Sequence, residues 1–594
     1  MKRRAWLNKL LPLFVETERE KPRDMLYIAQ ETPPPSTILM LGIQHAFVAL
    51  MLVVYLVIVS QDIGLEGVQR RGFVSMGIVV MGIGTLLNSL TTRISAGHLL
   101  VLIPSPVTMV VFIPVVMTFG LSAASGGLLL SGFIVFLMGR FLPNLRVLFP
   151  PEVTGVLLVL LGICLLPGGV RRFIGLREGI ALFNTGSVII ALCTLGTITA
   201  ISVWSSGRIR VFALIIGVAV GLLIAFLTGH FSAAELTAVA GQPLFAIPFE
   251  DYRPPFPTWV PGAIIPLVLT LLISAVDGIG CGVIADRMND KQWRRPDLPM
   301  IGRLLNTMGI CNAISGLTGT LTVACSSANL GLMHTTGVSS RRVGAAVGLM
   351  LILAACIPKI SLFIILLPRA VIGAILIYTA AYMIVSGAEL IMSRLLNSRR
   401  RATVGLGLAA GIAVLIVPEL TATMPLAVKP ILGSGLLVGV VFAIVLNLIF
   451  RIGVSRYGEI DLDPQRPAIQ AMRFLEENGA DWGARRDVIG HAGIAVGEAL
   501  ETLQGAGLSQ GPMHLAAAFD EYRLILTLDY PGRGIRLAEE SSVDLQALLD
   551  EEHDDKALDE AMAVVSAGLI RNMADQIECS ERNGWGRIRL IFNH

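Results

Sequence analysis

Asp277 lies inside an apolar segment, 271–290 (LLISAVDGIGCGVIADRMND), that is long enough to cross a bilayer. An aspartate at a helix centre costs roughly 2.5 to 3.5 kcal/mol on the insertion scale, so one that is present faces a polar cavity or a partner. Its two oxygens only accept hydrogen bonds when ionised, which suits them to holding N–H groups. Downstream, 324–337 (ACSSANLGLMHTTG) sets small and polar residues where another apolar span is due. Gly-punctuated spans are tolerated where their freed backbone groups line a cavity. The two segments together predict a solute site within the membrane.

The rest of the chain must carry these segments. With 54% hydrophobic residues, 15% charged residues and a mean hydropathy of +0.73 over 594 residues, it is a polytopic membrane protein. Charge divides it: from Asp461 onward there are about 12 Lys and Arg against about 24 Asp and Glu, and the remainder is basic. The reading is therefore a cytoplasmic tail (1–35), a transmembrane domain (36–455) and a cytoplasmic α/β domain (456–594). Seven cysteines without paired spacing indicate neither a disulfide framework nor a zinc site.

Spans of about 20 apolar residues fall near 37–60, 73–92, 95–119, 122–141, 152–169, 185–204, 210–229, 262–285, 306–320, 321–335, 342–358, 360–390, 403–419 and 425–450. The expected architecture is all-α, with about fourteen spans. Pro104, Pro106 and Pro114 interrupt the third, and Gly, Ser and Thr the tenth, as in inverted repeats whose broken helices meet near the midplane. Arg and Lys concentrate in alternate loops, which puts both termini in the cytoplasm. Glycines such as Gly278, Gly280, Gly316 and Gly319 are expected to let helices approach closely.

Several short runs then carry a resemblance. Ala328-Asn329-Leu330-Gly331 with Thr336-Gly337, Gly42-Ile43-Gln44-His45, Leu148-Phe149-Pro150-Pro151 with Val153-Thr154-Gly155, and Asp277 with Gly280 resemble, in order and spacing, the nucleobase/ascorbate (xanthine/uracil) permease family over 36–455. The resemblance implies two inverted repeats of seven spans, a core and a gate domain, a homodimer, and symport of a purine, pyrimidine or related heterocycle with H+ or Na+. Asp277 falls where members hold a Glu that accepts from the ring N–H groups of the base. Cys281 stands where they have His or Asp linked to proton coupling, and Ala328 where they have Glu or Gln. Ser327 and Asn329 could replace part of that grip. Gln44 and His45 fall on a pair that supports the pocket, and Gly280, Gly331 and Thr336 keep the family pattern. The departures at 281 and 328 point to a substrate outside the ordinary nucleobases.

The tail reads as helices at Ala468–Glu477 and Val488–Leu503, strands at His514–Phe519 and Tyr522–Asp529, a helix over Asp555–Glu578 and a strand at Gly586–Phe592. It resembles the histidine-kinase-like ATPase fold of anti-sigma-factor kinases in degenerate form. Glu501-Thr502 occupy the place of the Mg-binding Asn, and Asp529 is followed by Tyr-Pro before its glycines. ATP binding is not expected, nor any enzymatic activity or cofactor. A protein partner of the tail and membrane lipid are the expected contacts, with no nucleic acid. An anion transporter of the same architecture, or a sensor signalling through the tail, are the competing readings.

Overall fold

The computed structural model describes residues 19–593, apart from 533–569 and the short stretches 146–149, 177–183, 206–207, 231–236, 238, 249–251, 294–295, 394–395, 397, 418, 423, 427, 451–455, 483, 485, 506–510, 521–522, 572 and 583. It forms two compact units, divided between Leu448 and Ile449.

In the first unit, α1 (Pro35–Met51) and α2 (Val54–Asp62) form one apolar stretch. Helix α3 (Gly67–Ser89) leads through extended chain to β1 (Leu102–Pro104) and the short helix α4 (Pro106–Phe119). Then follow α5 (Leu121–Leu145), α6 (Pro151–Phe173), α7 (Thr185–Trp204) and α8 (Ala213–Leu227). The second half runs α9 (Pro261–Met288), α10 (Leu298–Thr318), β2 (Val323–Cys325), α11 (Ser327–Thr336), α12 (Arg341–Ala355), α13 (Pro358–Ile365), α14 (Arg369–Met392), α15 (Ser398–Ile416) and α16 (Gly435–Phe450).

Among the described residues, seven helices are long and apolar enough to cross a membrane, or eight if α12 and α13, bent by 80°, form one span. The sequence reading drew about fourteen. The difference lies in elements that are short or broken: α4, α8 and α16 are shorter apolar helices, and the segments read as spans at 95–119 and 321–335 are each a strand followed by a half-length helix. Ser105 and Ser326 explain these breaks, because each starts the following helix by accepting a hydrogen bond from a backbone N–H three residues on.

Glycines set the closest helix pairs. Gly132 and Gly139 on α5 face Gly309 and Gly302 on α10, Gly316 lies against the backbone of Ser125 and Leu129, and a Cβ at Gly309 would lie 2.4 Å from the Phe136 nitrogen. Gly155 and Gly162 on α6 meet Gly387 and Ala380 on α14 in the same manner. Gly278 and Gly316 thus serve packing, as expected. Gly319 ends α10 in the left-handed region, with φ 66°, whereas Gly280 faces open space.

The second unit is an antiparallel five-stranded sheet, ordered β3-β4-β5-β7-β6, with helices α17 (Pro467–Trp482) and α18 (Arg486–Gly505). Its strands are β3 (Arg456–Leu462), β4 (Met513–Phe519), β5 (Arg523–Pro531), β6 (Gln576–Arg582) and β7 (Trp585–Asn593). Leu515, Ala517, Leu526, Leu528, Ile588 and Leu590 form its core with Ala492, Val496 and Leu500 of α18. The described part of this unit is β-rich and its sheet is wholly antiparallel; β3 adds a strand to the sequence expectation, and residues 576–578 belong to a strand instead of a helix end. The helix expected from Asp555 lies outside the described residues up to 569.

Candidate functional site

The site starts from the two strands. β1 and β2 pair antiparallel, with Leu102 opposite Cys325, Ile103 opposite Ala324 and Pro104 opposite Val323. Backbone groups just outside the pair close it: Ser326 N donates to Val101 O (2.9 Å) and Ser105 N to Thr322 O (2.9 Å). One helix side chain supports each strand. Leu102 N donates to Thr85 Oγ1 of α3 at 3.0 Å, and Val323 N donates to Asn312 Oδ1 of α10 at 2.9 Å. All six strand residues are buried. Protein groups thereby take up the backbone donors that the strand pairing leaves over at Leu102 and Val323, as a membrane interior requires.

Helix α9 packs against β2, α4 and α11 and brings three side chains to this crossing. Ser274 Oγ lies 3.3 Å from Ser105 Oγ. The buried Cys281 thiol lies beside the buried Cys325 thiol. Between them, one turn from each, Asp277 is partly exposed. Among the described residues its carboxylate has neither a hydrogen-bond partner nor an ion-pair partner. Its neighbour Gly280 adds open room on an exposed position.

The facing half-helix α11 exposes Ser327, Ala328 and Gly331, and nothing lies within 4 Å of a Cβ built at Gly331. Ser326 Oγ takes the Asn329 N–H, which leaves the first-turn N–H groups of Ser327 and Ala328 without an intrahelical acceptor, and the helix dipole favours negative or carbonyl oxygen there. An acceptor, Asp277, thus stands beside a set of backbone donors.

The remaining expected residues divide by burial. Gln44 is half-exposed, whereas His45 is fully buried. His45 Nδ1 pairs with Asn329 Oδ1 at 2.8 Å, and Asn329 Nδ2 donates to Ser326 Oγ at 2.9 Å. The amide orientation makes Nδ1 the proton-bearing nitrogen, leaving Nε2 buried without a partner among the described residues. His45 and Asn329 therefore hold α1 to the start of α11. Thr336 Oγ1 donates to Leu332 O at 2.8 Å, at the far end of α11. Sequence reasoning missed Ser105, Ser274, Thr85, Asn312 and the proximity of Cys325 to Cys281. The serine before each half-helix was legible as a cap; Thr85 and Asn312 had no signal at all. Among the described residues no three His, Cys, Asp or Glu side chains converge as a metal site.

Residues 36–420, well over half the chain, match the profile of the xanthine/uracil permease family (Xan_ur_permease, "Permease family"). The chain belongs to this family. Its members are transporters, not enzymes. Uric acid permease PucJ of Bacillus subtilis (strain 168) is 28% identical over 402 residues, which are 66% of this chain and 88% of the relative. Xanthine permease of the same organism is 27% identical over 440 residues, 73% of this chain and 98% of the relative. Xanthine permease XanP of Escherichia coli (strain K12) is 26% identical over 447 residues, 72% and 95% of the two chains. Among solved structures, SLC26A9 superimposes with a TM-score of 0.51 at 13% identity, covering 78% of this chain and 71% of that one. That likeness concerns the fold alone.

Proposed function

We propose that this secondary transporter carries an oxopurine or a related lactam heterocycle, held between Asp277 and the N-terminus of α11. One observation carries the reading: Asp277 keeps a carboxylate without a protein partner on an accessible position beside a half-helix that begins with exposed Ser327 and Ala328. A carboxylate accepts from two adjacent ring N–H groups, and backbone N–H groups donate to a ring carbonyl. The names of the relatives, uric acid and xanthine permeases, support an oxopurine. Alanine at 328 leaves the far edge of the ring to the backbone and to Ser327.

The coupling ion in this reading is H+ or Na+, and both termini are cytoplasmic, following the distribution of Arg and Lys. The membrane unit is read as fourteen spans in two inverted repeats of seven. Its packing supports that: α3 against α12 has its counterpart in α10 against α5, α1 against α12 in α9 against α5, and α1 against α11 in α9 against α4. The β1–β2 pair and the α6–α14 pair map onto themselves. The two strand supports, Thr85 and Asn312, also correspond. A homodimer through the gate helices completes the proposal.

The tail is proposed to be a degenerate ATPase-like module that regulates transport or docks a protein. The acidic residue before its glycine turn, Asp529, is held by Arg587 in two hydrogen bonds of 2.6 and 2.9 Å, which supports a scaffolding role.

Uptake of radiolabelled xanthine, uric acid and uracil into proteoliposomes tests the substrate. Asp277→Asn is expected to abolish saturable uptake. Unchanged uptake in that variant refutes the assigned role, and sulfate or bicarbonate uptake in place of purine uptake favours the anion reading.

A further inference from the structure

Ahead of the first span, Arg19 to Pro34 form a strap laid across the ends of the site-bearing elements. Arg19 Nη1 lies 2.6 Å from Asp286 Oδ1 near the end of α9, and Nη2 lies 3.3 Å from Asp297 Oδ2, the cap of α10. The Arg19 and Asp286 side chains are 8% and 4% exposed, so this pair is shielded from water. Further along, Leu26 N donates to Gly337 O (2.6 Å), Ser339 N to Tyr27 O (2.8 Å) and Arg341 N to Ala29 O (3.1 Å). The strap thus pairs with the chain that leaves α11. Met25, Ile28 and Ala29 of the strap are themselves buried.

Asn289 joins the three pieces. Its Oδ1 accepts from Ala29 N of the strap (2.7 Å) and from Ser339 Oγ beyond α11 (2.6 Å), while its Nδ2 donates to Ala285 O of α9 (2.6 Å). The side chain is fully buried with every contact supplied by protein. Asp277 lies on the helix that Asn289 ends, and Ala328 on the helix that Gly337 ends. Helices are stiff over such lengths, so the angle fixed at these ends is transmitted to both residues.

We propose that the strap and Asn289 are positioning elements of the transport site, setting the placement of the Asp277 carboxylate relative to the first turn of α11. The proposal rests on the reading of that site as the place where substrate binds. Half-saturation of transport then depends on residues that never meet the substrate, and by linkage a bound purine stiffens the strap.

The test combines xanthine uptake into proteoliposomes with hydrogen-exchange mass spectrometry of the full chain. Asn289→Ala and Arg19→Gln are expected to raise half-saturation about tenfold, within the usual range for coupling between sites, with the maximal rate per inserted molecule retained. Arg19→Lys, which keeps the charge, is expected to restore most of the affinity. Amides of 327–341 should exchange faster in both disruptive variants. Faster exchange with unchanged half-saturation overturns the proposal, because the strap is then packing alone. If the wild-type protein takes up neither xanthine nor uric acid, the substrate reading fails. The strap is then tested on whichever of uracil, sulfate or bicarbonate the wild-type protein does take up: a raised half-saturation for that solute in both disruptive variants upholds the positioning role, and an unchanged one overturns it.

Discussion

His45 on the first span and Asn329 on the half-helix meet in a buried 2.8 Å hydrogen bond, and Asn329 is in turn anchored on the cap residue Ser326 by both its backbone and side-chain nitrogens. The bond joins segments separated by 284 positions. His45→Ala leaves Asn329 Oδ1 buried without a donor, a loss of about 1–3 kcal/mol. Thermal unfolding of the detergent-solubilised protein should show that drop, and His45→Gln, which keeps a donor, a smaller one. Equal stability of all three proteins shows that the bond contributes nothing.

The glycine seams make a steric prediction. At Gly309 a Cβ would stand 2.4 Å from backbone nitrogen and 2.7 Å from Gly132 O, neither of which is a flexible side-chain end. Gly309→Ala therefore forces α5 and α10 apart, with a cost of about 1–3 kcal/mol for overpacking. Gly405 and Gly196 have nothing within 4 Å and lie inside helices, so their alanine variants should melt no lower than the parent, helix propensity favouring alanine. A melting series over these three positions checks the contrast, and an unaffected Gly309→Ala variant argues against the close α5–α10 contact.

What the sequence disclosed follows from how local each signal is. Asp277 announced itself because a charge in an apolar run is costly, and the broken spans did so because Pro, Gly and Ser interrupt helices within a few residues. The strand register, Leu102 against Cys325, was hidden because it joins segments more than 200 positions apart. The same holds for Asn289, an ordinary polar residue at a helix end whose partners are at 29 and 339. β3 and β6 escaped for another reason: they are edge strands, RYGEIDL and QIECSER, whose polar residues face solvent and leave little apolar alternation. The α17 and α18 helices, with one apolar face each, were readable from their period.

At the strap, Glu20 is exposed and its carboxyl is held below the usual range by hydrogen bonds from Lys291 first and Gln292 second. A lowered folded value means that the contact stabilises fully above the unfolded value, about 4.3 for Glu, and is lost as pH falls through the lower folded value. Limited proteolysis of the strap should accelerate as pH is lowered through that range, using an acid-tolerant protease and normalising to an unfolded peptide. Glu20→Gln should remove the step. A step that persists in the variant assigns it to another group.

In the tail, Asp529 and Arg587 are register partners on β5 and β7, and their side chains are 23% and 58% exposed. Solvent screening keeps such a pair to about 0–1 kcal/mol, so Asp529→Ala should lower tail stability only slightly. Its consequence for function is sharper. If the acidic residue before the glycine turn is a strut between strands, then full-length protein should show no specific labelling by a photoreactive ATP analogue in the tail, and Asp529→Ala should leave the labelling pattern unchanged. ATP-competable labelling that disappears in Asp529→Ala would instead mean that Arg587 releases the carboxylate when nucleotide arrives, making the tail a nucleotide sensor. Uptake measured on the same preparations separates the two outcomes further: a strut variant transports at the parental rate with or without ATP, whereas loss of a sensor removes any ATP dependence that the parent shows.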